Sequence, residues 1–114
     1  IINGTGCFPK MERPRTLFMG IEGSLNTLYD LVSRIENELE KLGFSKEPNE
    51  FIPHITVARI KYPQKHTPDI NLFLQSSYDP IDFSLNRMQF FASELLPSGA
   101  VYTLLQSFPL GEPI

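Results

Sequence analysis

A single cysteine, Cys7, leaves no partner for a disulfide within the chain and suits a reducing compartment, so the expected location is cytoplasmic. No stretch approaches the ~20 consecutive apolar residues that cross a bilayer, which excludes a helical membrane span and a membrane partner of that kind. The opening Ile1-Ile2-Asn3-Gly4 carries neither a basic n-region nor a long apolar h-region, so no signal peptide is visible. It also lacks an initiator methionine, as a trimmed chain or a fragment would. Positive charge is in short supply: ten Lys/Arg stand against thirteen Asp/Glu, for a net charge of -3. That argues against coating a nucleic acid through bulk charge, but a local phosphate site needs only a few donors.

What is present is enough for a core. With 114 residues, 41% of them hydrophobic and 20% charged, the chain is expected to form one domain over 1–114 rather than a disordered segment. The charges are unevenly placed. Lys10, Arg13 and Arg15 lie near the start, and Arg59, Lys61 and Lys65 follow one another with His54 and His66 nearby. No carboxylate occurs from 51 to 68, whereas Asp30, Glu36, Glu38, Glu40, Glu47 and Glu50 gather before it. Charge alone leaves a functional patch and an ordinary solvated surface equally open.

Leu25, Leu28, Leu31, Val32, Ile35, Leu39 and Leu42 recur at spacings of three and four, which predicts a long amphipathic helix. Ser24 is its expected N-cap and Gly43 its C-terminal stop. Strands are expected over 16–21, after the Pro14 breaker, and over 51–60, rich in β-branched residues. A short helix with Thr67 as cap is expected over 68–77. Two longer strands, 81–95 and 100–108, flank Pro97-Ser98-Gly99 and should form a hairpin. This order predicts an α+β fold, with one long and one short helix packed on a mostly antiparallel sheet. The segment 63–68 is the expected exposed loop. Phe90, Phe91, Tyr102 and Phe108 could stack on a base, but at strand spacing they are expected in the core.

The segment Phe51-Ile52-Pro53-His54-Ile55-Thr56-Val57-Ala58-Arg59 carries the most chemistry. Period-two alternation puts His54 and Thr56 on one face, close enough to grip one tetrahedral anion, and sends Ile55 and Val57 to the core beneath the helix. Histidine exchanges protons near neutrality and a hydroxyl can donate to a phosphate oxygen. Arg59 is the nearest fork donor for phosphate, but its odd spacing from His54 turns it away unless a bulge or the strand end redirects it. A lone His beside a Thr is also a common hydrogen-bonded structural pair, and the residues by themselves leave both readings open. Gly4-Thr5-Gly6 lacks a third glycine or a G-K-[ST] and is not a nucleotide loop. His54 and His66 lack further ligands at zinc spacing, so no metal is expected.

Pro53-His54-Ile55-Thr56-Val57-Ala58-Arg59 resembles the second H-x-T-x signature of the two-histidine (2H) phosphoesterases, in their 2'-5' RNA ligase or RNA 2',3'-cyclic phosphodiesterase branch. Gly4-x-Gly6-x-Phe8-Pro9, Pro14-Arg15-Thr16-Leu17-Phe18-x-Gly20-Ile21, Ser93-Glu94-Leu95, Gly99-x-x-Tyr102-Thr103 and Phe108-Pro109-Leu110 extend the resemblance over nearly the whole chain. It implies one part of a bilobal, pseudo-symmetric fold whose two motifs line one cleft. By resemblance, one histidine is general base and the other general acid on a 2',3'-cyclic phosphate at an RNA end, in a tRNA-like fragment or a small phosphoester. The product is a 2'-phosphate, the reverse reaction joins ends 2'-5', and neither metal nor ATP is needed. His54 then becomes one acid/base catalyst, Thr56 a phosphate ligand and Arg59 a further phosphate contact.

Only one H-x-T-x occurs in this sequence. In the family the other precedes the Gly4-x-Gly6 segment, so the chain resembles the C-terminal part, with its first motif missing upstream. One histidine cannot be base and acid in a single displacement, and losing one partner costs about 10²–10⁴ in rate. Three readings follow: an enzyme whose second histidine comes from a companion N-terminal segment or another chain, a non-catalytic half-domain that binds RNA ends or phosphoesters, and an interaction domain. The last expects a buried His54 and an Arg59 paired with a carboxylate. A half-built cleft should also self-associate through its exposed strand edges and apolar faces.

Overall fold

The computed structural model describes residues 1–61 and 68–114. His66, Thr67 and nearly all of the expected 63–68 loop therefore lie outside the described residues. The chain divides into two compact units, Ile1–Phe83 and Ser84–Ile114. The first holds strands β1 (Ile2–Lys10) and β2 (Arg13–Ile21), helix α1 (Asn26–Lys41), strand β3 (His54–Arg59) and the single turn α2 (Asn71–Leu74). The second is a ribbon of β4 (Arg87–Leu96) and β5 (Gly99–Pro109).

The α+β class and the antiparallel pairing are as expected, but the strands belong to two sheets rather than one: β1-β2-β3 and β4-β5. Strand β1 was not foreseen. It turns into β2 through Met11 and Glu12, with Lys10 opposite Arg13. That turn lacks the Gly, Asn or Pro that marks a hairpin in sequence. Pro14, expected to break the chain, lies inside β2 and is fully buried. Pairing with β3 reaches only to Thr16 opposite Arg59, so the missing N–H of Pro14 costs no bond on that side.

Helix α1 buries Leu28 and partly covers Leu31, Val32 and Ile35, whereas Leu39 and Leu42 at its far end are 41% and 74% exposed. Its N-cap is Leu25, not Ser24, and no side chain caps it. The C-terminus behaves as expected. Gly43 adopts φ +98°, its N–H donates to the Glu40 carbonyl at 3.0 Å, and that of Phe44 donates to Leu39 at 3.1 Å. These two bonds satisfy carbonyls that would otherwise end the helix unpaired. The short helix spans four residues rather than 68–77, because Gln75 and Ser76 already close its only turn. It is tied to β1 by Thr5, whose hydroxyl donates to the Phe73 carbonyl at 3.1 Å. No helix among the described residues is long and apolar enough to cross a membrane.

In the second unit β4 begins at Arg87, not at 81; Ile81 makes only an isolated bridge to Ile2 in the first unit. Pro97 and Ser98 form the expected turn, with Leu96 opposite Gly99. Phe90, Phe91, Tyr102 and Phe108 are exposed rather than in a core, since a two-stranded ribbon has no second layer of its own to bury them. Ile55 and Val57, expected beneath the helix, are likewise 40% and 49% exposed on β3, an edge of its three-stranded sheet.

Replacing Gly43 with alanine places a Cβ in the left-handed region and should cost about 1 kcal/mol. Urea denaturation followed by circular dichroism measures this, and an unchanged midpoint would contradict the role given to Gly43.

Candidate functional site

Strand register decides which side chains share a face. His54 pairs with Gly20, Ile55 with Met19 and Thr56 with Phe18, but Ala58 pairs with Leu17 and Arg59 with Thr16. Strand β3 thus takes two steps where β2 takes one, and Val57 is the extra residue of a β-bulge. Gly20, Phe18 and Thr16 alternate regularly on one face of β2. Their partners His54, Thr56 and Arg59 therefore all lie on that face. The spacing in sequence turned Arg59 away, and the bulge returns it.

The pairing has a direct consequence. Arg59 Nη1 donates to Thr16 Oγ1 at 3.3 Å, and Arg59 has no carboxylate partner among the described residues. Its remaining N–H groups can meet an anion. His54 is exposed and Thr56 half-buried. This is the opposite of what an interaction domain requires, with its buried histidine and neutralised arginine.

His54 is held in a defined orientation. Its Nδ1 lies 2.7 Å from the Ile52 carbonyl oxygen. A carbonyl can only accept, so Nδ1 carries the hydrogen, and in the neutral ring Nε2 keeps a free lone pair. Two aromatic rings flank the imidazole: Phe8 edge-on with centroids at 5.0 Å, and Phe18 tilted at 5.3 Å. The two phenyl rings stack on each other at 4.5 Å. Gly6 makes room for this shelf, since a Cβ there would collide with the Phe18 ring. Phe8, Phe18, Thr16 and Gly6 escaped sequence reasoning as site residues, because only the strand register shows that they surround His54.

The basic residues also converge. Lys10 and Arg13 sit at the β1–β2 turn, Arg59 ends β3, and the Ile60 N–H donates to the Arg15 carbonyl at 2.8 Å, which brings Lys61 to the same end of the sheet. Glu12 is the one carboxylate in that turn. His54 begins β3 at the opposite end, roughly 16 Å away at ~3.3 Å per residue. Beside His54 lies a hollow of about 490 Å³ lined by Phe8, Pro9, Phe51, Ile52 and the polar residues Glu36, Glu47, Asn49 and Glu50.

An exposed, oriented imidazole with a hydroxyl beside it, and further along the same face a guanidinium with N–H groups to spare, can move a proton and hold a phosphoryl oxygen. Several known proteins resemble the chain. The chain is 34% identical over 105 residues to an RNA 2',3'-cyclic phosphodiesterase of Thermotoga maritima, covering 91% of this chain and 54% of that one. It is 36% identical over 114 residues to one of Thermus thermophilus, covering 96% and 54%. The crystal structure of TT0787 of Thermus thermophilus superposes with a TM-score of 0.67 at 31% identity, over 96% of this chain and 58% of that one. The chain thus spans little more than half the length of these relatives. The LigT like Phosphoesterase family matches residues 21–102, which include all of α1, the His54–Arg59 strand and the β4–β5 turn, and the chain belongs to that family.

Proposed function

We propose that this chain is the C-terminal part of a metal-independent, cytoplasmic RNA 2',3'-cyclic phosphodiesterase, one lobe of a bilobal pair. His54 is one of its two acid/base catalysts, and Thr56 and Arg59 are its phosphate ligands. The observation that carries the reading is the single face on which these three side chains lie, with His54 Nδ1 pinned at 2.7 Å to Ile52 and Nε2 left open. The names of the similar proteins point to the same substrate.

The reaction balances on two histidines. One takes a proton from water as its oxygen bonds to phosphorus. The P–O3' bond breaks, and the other histidine protonates the departing O3', leaving a 2'-phosphate and a 3'-hydroxyl. Thr56 and Arg59 donate to the non-bridging oxygens, whose charge builds in the transition state. With the 5'-hydroxyl of a second RNA end attacking in place of water, the same groups form a 2'-5' linkage as the P–O3' bond breaks. The second H-x-T-x comes from outside these 114 residues. The basic end of the sheet, with Lys10 and Lys61, takes the backbone phosphates of the RNA that continues from the reacting end.

With one motif in this sequence, a half-site that binds RNA ends without turnover is the second reading. The assay that separates them is hydrolysis of a nucleoside 2',3'-cyclic phosphate by the complete protein in EDTA. The enzyme reading expects turnover, and His54→Ala should lower it by about 10²–10⁴ with the fold intact by circular dichroism. Phosphate-dependent binding with no turnover supports the half-site, and full activity in the variant overturns the catalytic role given to His54.

RNA longer than one nucleotide should bind with a marked salt dependence. Removing both Lys10 and Lys61 should weaken an oligonucleotide about equally for every sequence and reduce the slope of log affinity against log salt by roughly 1–2. An unchanged slope would remove the basic end from the RNA path.

The exposed Phe91, Leu95, Tyr102 and Leu104 lie on one face of the second unit's ribbon and make an apolar surface in need of cover. The 114-residue chain by itself should therefore self-associate or hold a companion segment. Sedimentation at high concentration should show species heavier than 13.0 kDa, and a clean monomer would count against this.

A further inference from the structure

The hollow beside His54 is lined by carboxylates, although the reaction concerns an anion. Glu36 enters from α1, and Glu47 and Glu50 from the segment between α1 and β3. Phosphate is therefore disfavoured inside it and belongs on the Thr56–Arg59 side, where carboxylates are absent from the strand. A shared cation is not the occupant either, because no group of three or more acidic, His or Cys side chains among the described residues is placed to hold a metal.

The carboxylates differ in how they are engaged. Glu38 accepts from Lys41 at 3.0 Å, Glu40 lies 3.9 Å from Lys46, and Glu47 accepts from the Asn49 backbone and side-chain amides. Glu36 and Glu50 make no hydrogen bond or ion pair among the described residues, yet both line the hollow. The apolar part of the lining includes the rings of Phe8 and Phe51, with His54 at the edge. A volume of about 490 Å³ lies within the range of small-molecule sites. Aromatic lining residues with unengaged acceptors beside them suit a planar, neutral ligand rich in N–H donors.

We propose that this hollow is the base subsite of the nucleotide whose phosphate His54 and Thr56 serve, and that it selects guanine. The inference rests on the phosphodiesterase reading above for the phosphate, but not for the base. Unstacked RNA bases are bound on aromatic side chains and read along their hydrogen-bonding edge. Guanine presents two adjacent donors there, N1–H and N2–H, which match the two oxygens of one carboxylate. Adenine and cytosine each set one amino donor beside a ring-nitrogen acceptor that a carboxylate repels. Uracil flanks its single N–H with two carbonyls. The terminal base then lies at the start of β3 and the rest of the RNA runs towards its basic end.

Nucleosides without phosphate test the base subsite apart from the chemistry. The 114-residue chain is titrated with guanosine, inosine and uridine and followed by NMR chemical shifts. Guanosine should bind about tenfold tighter than uridine, with inosine, which lacks the N2 amino group, between them. The Glu36→Gln/Glu50→Gln variant should bring guanosine and uridine to within about threefold, as expected when neutral amides replace the charged acceptors. Equal binding of guanosine and uridine by the unaltered chain, or a preference that survives in the variant, overturns the proposal. A guanosine preference in a complete protein that does not hydrolyse cyclic phosphates would instead keep the subsite and remove the phosphodiesterase reading.

Discussion

Between Thr56 and Ala58 strand β3 advances two residues while β2 advances one, and the cationic side of the site depends on that step. A regular strand from His54 would carry Thr56 and Ala58 on one face and Arg59 on the other. The inserted Val57 reverses the alternation, so Arg59 returns to the His54 face and meets Thr16. Neither residue needs an unusual backbone, since no non-glycine residue among those described has positive φ. The bulge leaves Val57 49% exposed, a modest apolar cost beside the placement of a permanent cation.

Around that step the neighbouring strands hold the imidazole in place. The bond from Nδ1 to the Ile52 carbonyl orients the ring and selects its tautomer, and the Phe8–Phe18 stack limits how it can tilt. Phe18 can lie across β1 only because position 6 has no side chain. Gly6, whose G-x-G is too short to read as a nucleotide loop, is thus a packing requirement of the site. A rotamer fixed before substrate arrives spares the reaction the entropy of ordering it.

The parts of the fold that follow from local periodicity were legible: α1 with its Gly43 stop, the strand through His54, and the hairpin at Pro97-Ser98-Gly99. Features set by partners were not. Strand β1 hides because Gly4 and Gly6 weaken its apolar signal and its turn is Met11-Glu12. Ser24 looked like a cap by type, but the helix begins one residue later, where Leu25 stands. For the site, His54 and Thr56 could be placed on one face by counting. The return of Arg59 could be stated only as a condition, because a bulge is a property of two strands and leaves no mark in one. Ile55 and Val57 were assigned to a core because alternation says which residues share a face, not whether anything covers it.

Charge along β3 gives the site a direction. Carboxylates border the hollow at its start, and Arg59, Lys61 and the basic residues of the β1–β2 turn stand at its end. A polyanion laid along this face is attracted to one end and repelled from the other, so only its terminal, least charged part can occupy the start. His54 stands at the boundary, where a terminal phosphate would follow the last base. A net charge of -3 is compatible with the proposed RNA binding, because acids gathered at one end of the face would set which way a strand lies.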